Sequence, residues 1–375
     1  MKRNRTRKMM VALAVVLCLL VATACGGKND TGGATAPNAS GKQELTKVKV
    51  ALSAFQDVNS IHVGIQKGFY EEEGIQLEIQ NTDWPGANEL LIGGHVQMAT
   101  STESDVTLQN ANGQDTTLAF PLFYFAGGGL MYDAKKHGDW KVFDKFMEEN
   151  GNDIKQAMAA TLSQLKGKKV GVSAAAGEYA TFIEMVSFSG LKTEDFQIID
   201  LAQEELPPAL LSGSIDIMIS GIPQRLAVLK QGYETLIDQT ALASTVVHAG
   251  FAASRAWVDE NPELASKIQK VILKTLDYIE KNPDEAFPII SAKLKEAGTV
   301  VETEELKGVW NNMEFFPSSK EWYNKEVVSP DGRFYWKDRF QTVVDNLKTE
   351  GKLKADYNPD LEQLNYGLKT VAGIQ

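Results

Sequence analysis

Several short loops of this chain carry side chains suited to holding a small molecule. Ser53, Ala54, Phe55 and Gln56 follow an apolar run; Phe55 can form a wall and Gln56 a polar contact, or the aromatic can pack as core. Trp84-Pro85-Gly86 sets an indole in front of a helix start, where the ring can lie over a ligand and the free amides of the first turn can hold an anion. Ser101 and Thr102 are hydroxyls that can donate to a ligand or cap the helix after them. Phe123 and Tyr124 are neighbouring aromatics, the second with a polar tip.

Nothing comparable points to catalysis. His62, His95, His137 and His248 are scattered, and the sequence has no H-E-x-x-H run, no cysteine cluster, no Walker or dinucleotide glycine pattern and no G-x-S-x-G elbow. The expectation is therefore no enzyme, no cofactor and no metal. The acidic balance, net −11, speaks against nucleic acid and anionic lipid surfaces as partners.

The elements that must position these loops begin after an unusual leader. Lys2, Arg3, Arg5, Arg7 and Lys8 precede an apolar stretch from Met9 to Val21 and small residues Ala22-Thr23-Ala24, the pattern of a secretory signal over residues 1–24. Cys25 then resembles the lipidated cysteine of a bacterial lipobox, although Ala22 replaces its usual leucine. Residues 25–44, rich in Gly, Ala, Thr, Asn and Ser, suit a flexible tether. Removing the five leader cations takes the net charge to about −16. Cys18 goes with the leader and Cys25 to the lipid, which leaves no thiol for disulfides, metals or catalysis.

From Val48 the chain alternates short apolar runs with helical patterns, as an α/β sheet requires. Val48–Leu52, Ile75–Ile79, Val96–Thr100 and Thr116–Phe120 read as strands; His62–Tyr70, Ala87–Ile92 and Ser104–Ala111 read as their helices. Leu130–Tyr132 crosses to a second unit with strands at Lys168–Val172, Phe196–Ile199 and Ile215–Ser220, helices at Glu178–Ser189 and Pro207–Ser212, and further strands at Tyr233–Ile237 and Val247–Ala252. The last leads back to the first unit. From Asn261 the pattern turns helical, with Pro262 at a first helical position. Two such halves form a cleft at the carboxyl ends of their strands.

Five segments, in order, resemble the periplasmic binding proteins of the nitrate, sulfonate, taurine and thiamine-precursor type. They are Lys67-Gly68-Phe69-Tyr70-Glu71-Glu72-Glu73-Gly74-Ile75, Gly86–Gly94, Leu165–Val172, Ala209–Asp216, and the pair Asn261-Pro262-Glu263-Leu264 with Asn282-Pro283-Asp284-Glu285-Ala286. The resemblance covers roughly residues 46–290 and implies a two-lobed, type II binding-protein fold. Lobe 1 is expected to comprise residues 45–130 and 250–375, and lobe 2 residues 131–249.

It also implies a solute-binding lipoprotein outside the cell, monomeric and touching the membrane only through its lipid, that serves an ABC permease and its cytoplasmic ATPase. In the family's helix-start loop, Ala174, Ala175 and Ala176 replace hydroxyls that bind anions, and this tilts the reading towards an organic solute with an apolar body. Sulfonate, taurine-like, aromatic and pyrimidine solutes all stay open. Glu178 in that loop can bind an amine or simply favour the helix start. Arg225 stands where the family places a further contact; it can fork onto a sulfonate or carboxylate, or pair with an acid. The expected contacts are thus Ser53, Phe55, Gln56, Trp84, Ser101, Thr102, Tyr124, Ala175, Glu178 and Arg225. Residues 135–163 exceed the family's usual link and read as an inserted helical pair. An enzyme on the fold of thiamine-precursor synthesis, or a receptor without transport, are the alternatives.

Overall fold

The computed structural model describes residues 44–374 apart from 175, 243–245 and 312. The signal peptide, Cys25, the tether and Ala175 lie outside the described residues. In chain order the strands are β1 (Thr46–Leu52), β2 (Ile75–Asn81), β3 (Met98–Thr102), β4 (Thr116–Phe125), β5 (Gly129–Tyr132), β6 (Lys169–Val172), β7 (Gln197–Asp200), β8 (Ile217–Ser220), β9 (Glu234–Asp238), β10 (Val247–Ser254) and β11 (Glu314–Phe315).

They form two sheets, β11-β4-β10-β3-β1-β2 and β7-β6-β8-β5-β9. β1 lies parallel to β2 and β3, and β6 parallel to β7 and β8, as βα repeats dictate. The strands next to the crossings run the other way. β10 is antiparallel to β3 and β4, and β5 is antiparallel to β8 and β9. A strand that arrives from the other sheet enters from the opposite end, so both sheets are mixed rather than purely parallel.

The middle of the first sheet is buried, while β2 at its edge leaves Gln76, Gln80 and Asn81 exposed: every residue of β4 is buried, and Val48, Val50 and Leu52 of β1 sit in one core with Phe120, Phe123 and Phe251. The helix Pro262–Lys281 covers that core with Ala265, Ile268, Val271, Ile272, Leu276 and Ile279, which recur at helical spacing. The second sheet has its own core, in which Leu130, Val170, Ile217 and Ile237 meet Phe182 and Met185 of the helix Gly177–Ser189. Helices Phe143–Glu149 and Ile154–Ser163 fall within the stretch 135–163 and contribute Phe143, Ala157, Met158 and Leu162 to this core.

Two local differences from expectation have simple causes. The helix read over His62–Tyr70 is interrupted at Gly68, whose φ of 76° is left-handed, so that Ile61–Gln66 and Phe69–Glu72 are separate pieces. The carboxyl-terminal region is mostly helical but contains β11, which adds Glu314 and Phe315 to the edge of the first sheet opposite β2. The last helices close over β4: Thr370 donates to the Ala119 carbonyl at 2.6 Å and Thr117 to that of Leu364 at 2.8 Å.

Candidate functional site

The chain passes between the sheets after β4, through 126–128, and again between β9 and β10, and residues 128 and 239 of the two connections are bonded to each other. The Gly128 N–H donates to Gln239 Oε1 at 2.7 Å, and the Gln239 N–H donates to the Gly128 carbonyl at 2.9 Å. Gln239 Nε2 donates on to Thr181 of the helix Gly177–Ser189. A Cβ at Gly128 would stand 2.5 Å from Gln239 Oε1, so a larger residue there would displace that amide.

Arg225, 4% exposed, braces the same place. Its guanidinium donates to the carbonyls of Gly127 and Gly128, to Thr235 and, at 2.6 Å, to Asp238 Oδ2. Its Nη groups thus serve the crossing, Thr235 and an acid of the same sheet, while Nε is buried without a partner.

Around the crossing the structure gathers three carboxyls. Asp57, at the end of the loop after β1, is buried and accepts the Val58 N–H at 2.6 Å. Glu314 of β11 is fully buried and accepts a short hydrogen bond from Gln56 Nε2. Glu178 comes from the other lobe. It is half-buried, its Cγ lying beside Gly128 and its carboxyl beside Gly221.

Burial pushes Asp57 up to about 7, against the Val58 hydrogen bond and with the charge of Glu178 adding to the rise. Burial, then the charge of Asp57, raises Glu314 well above the usual carboxylate range. Burial also raises Glu178, while its own backbone N–H, Gln203 and the Gly221 backbone hold it down. Ser220 donates to Gln203 Oε1 at 2.7 Å and so fixes the residue that steadies Glu178. At Gly221 a Cβ would fall 2.5 Å from Glu178 Oε1 and 2.6 Å from the Phe125 ring, so only glycine admits this approach of the two lobes.

The lobes meet closely here. Ile222 joins the core of the first sheet, Lys230 pairs with Glu305, and Asn346 Nδ2 donates to Glu184 at 3.1 Å. A groove of about 230 Å³ runs beside that last contact, lined by Ile183, Glu184, Ser187, Phe188, Asn346 and Thr349.

The residues expected to touch a solute fall into distinct places. Gln56 and Glu178 reach the acid cluster. Phe55 and Trp84 pack edge to face, centroids 5.7 Å apart, and the indole N–H donates to Asp105 Oδ2 at 2.9 Å. Ser53 is buried against Thr100 at 2.8 Å, and Ser101 donates to Asn88 at 2.9 Å behind the helix Trp84–Ile92. Thr102 forms a capping box with Asp105 at the start of the helix Glu103–Ala111. Tyr124 is enclosed in the interior, its ring stacked between His248 and Phe334 at 4.5 Å from each. The cause is alternation along β4: Phe123 and Phe125 join the core of lobe 1, while Tyr124 turns to the side covered by the carboxyl-terminal segment.

Asp57 and Glu314 were not expected. Asp57 was visible as the acid next to Gln56 in a strand-end loop, whereas Glu314 sits on a two-residue strand inside a helical region and carries no local signal.

Residues 41–292 match the NMT1-like family. The chain belongs to the NMT1-like family. Among curated members of wider kinship, the riboflavin-binding protein RibY of Chloroflexus aurantiacus is 22% identical over 314 residues, covering 77% of this chain and 80% of RibY. The periplasmic aliphatic sulphonate-binding protein SsuA of Escherichia coli shares the fold with a TM-score of 0.64 at 14% identity, over 86% of this chain and 98% of SsuA. The desulfurization enzyme DszB does so with a TM-score of 0.55 at 11% identity, over 87% of this chain and 99% of its own. This NMT1-like chain therefore shares the two-sheet α/β fold of those solved proteins.

Proposed function

We propose that this NMT1-like protein is the extracytoplasmic, lipid-anchored receptor of an ABC importer, which captures a small organic solute between its lobes and delivers it to the permease. The observation that carries this reading is the double crossing. Two sheets joined by two cross-bonded passages can hinge there, and a solute that touches both lobes at the crossing favours the closed form. The acceptors of Asp57, Gln56 and Glu314 on one side and of Glu178 on the other support this reading.

The anchoring part of the reading rests on the leader and on Cys25, and the permease on the family. The solutes named by RibY and SsuA are candidates for this chain along with taurine-like and pyrimidine compounds. The test is titration of the full chain with these compounds, followed by calorimetry and small-angle scattering. One solute per chain, a smaller radius on binding and unchanged solute afterwards are expected. Conversion of a bound compound into product would transfer the protein to the enzyme class that DszB represents. Cys25→Ser is expected to release the protein from the membrane fraction without loss of solute affinity.

A further inference from the structure

Beside the acids of the crossing, two buried acceptors lack a donor. Glu314 Oε2 and Gln56 Oε1 are both buried without a hydrogen-bond partner, and the Gln56 amide, 3% exposed, is turned onto Glu314. An uncharged amide oxygen is thus left wanting a donor beside the carboxyls, a need that mutual repulsion of acids does not explain. Asp57 faces Glu178 from the other lobe and Glu314 from its own. Besides one another and their own backbone N–H groups, these acids are acted on by the neutral donors Val58, Gln56, Gln203 and Gly221. Arg225, which reaches the same passage, gives its Nη1 and Nη2 protons to two carbonyls, Thr235 and Asp238, and its Nε is buried without a partner. Among the described residues no group of three or more acids, histidines or cysteines is arranged to hold a metal ion.

On the reading of the crossing as the solute site, we infer that the solute is a small organic cation, an amine or amidinium whose N–H groups are received by Asp57, Glu314 and Gln56 of one lobe and Glu178 of the other. The cation replaces protons. In the closed, solute-free form the carboxyls retain protons to limit their repulsion; a bound ammonium or amidinium compensates their charge and supplies the missing donors, so protons leave as it enters. A cation held from both lobes also links solute binding to closure, because neither lobe alone offers the full set of acceptors.

The experiment is titration of the full chain with benzylamine, benzamidine and putrescine, their counterparts benzenesulfonate, benzoate and benzyl alcohol, and Ca²⁺ and Mg²⁺, followed by thermal midpoint and calorimetry. At least one organic cation is expected to raise the midpoint, with an affinity that increases up to about tenfold per pH unit between about pH 6 and 8. Glu178→Gln is expected to weaken that affinity about tenfold or more, as loss of a charge-assisted hydrogen bond requires, and to reduce proton release measured in two buffers of different ionisation heat. Binding of the sulfonate, the benzoate or the alcohol alone would overturn the cation while leaving a binding protein intact. Response to Ca²⁺ or Mg²⁺ alone, or to none of the organic cations, also overturns it. Turnover of a probe would instead strike at the binding-protein reading itself.

Discussion

Replacing Asp57 with asparagine removes a negative charge from the crossing and keeps an oxygen able to accept the Val58 N–H, now at 2.6 Å. In the native fold burial lifts this carboxyl from 3.8 to about 7. Because the folded value is the higher one, the folded protein holds this proton more tightly than the unfolded chain. Below about pH 4 both states are protonated and the group costs nothing. Between about pH 4 and 7 the unfolded chain sheds its proton first, so stability falls as pH rises, and above about 7 the whole cost is present. The gap between the two values corresponds to about 4 kcal/mol. Asp57→Asn is therefore expected to match the native chain near pH 4 and to exceed it by about 2 kcal/mol at pH 8. The increment stays below the full amount because the native lobes can relieve part of the repulsion by parting, and because the burden is shared with Glu314. Glu103, which burial also pushes up to about 7, and His62, pushed down to about 4, are the same in both proteins and cancel in the difference. Urea denaturation of the full chain and of Asp57→Asn at intervals from pH 4 to 8 measures it. A difference that does not change with pH, or a variant less stable than the native chain at pH 8, would refute the assignment of a buried, repelled carboxyl at position 57.

Arg225→Met is expected to lower stability by about 3 kcal/mol, since it strands Asp238 and two crossing carbonyls; thermal unfolding reads this directly. Gly221→Ala places a Cβ against Glu178 and Phe125 and is expected to cut affinity for any lobe-closing solute at least about tenfold, with a larger scattering radius for the variant. Tyr124→Phe removes a buried hydroxyl that finds no partner among the described residues; stability within about 1 kcal/mol of native and unchanged solute affinity are expected from denaturation and titration.

Much of the architecture was legible because its signals are local. Gly74 ahead of the alternating Ile75–Ile79, the apolar run Val48–Leu52 and the helical spacing from Ala265 to Ile279 each report burial of one face, and the structure puts β1, β2 and the helix Pro262–Lys281 there. Motifs such as Leu165–Val172 and Ala209–Asp216 added the kinship and, through it, a cleft between two lobes. Strand direction at the crossings was not legible, because an apolar run reads the same whether its neighbours are parallel or antiparallel. The chemistry of individual loops was legible only as a set of options. Hydroxyls and aromatics offer similar possibilities wherever they stand, and Ser53, Ser101, Thr102 and Trp84 turned out to be engaged with Thr100, Asn88 and Asp105.

The sequence by itself determined which segments become strands and helices, the excess of acid over base and the family, since these depend on residue type and on spacing within a few turns of chain. Only the tertiary structure decided that Asp57, Glu178 and Glu314 share one place, 121 and 136 residues apart in succession. It also decided that Arg225 bonds the crossing carbonyls and Asp238, and that Tyr124 faces away from Phe123 and Phe125. Charge repulsion, burial and the demand for hydrogen-bond partners act through space, and two passages between sheets bring together residues whose separation along the chain hides the encounter.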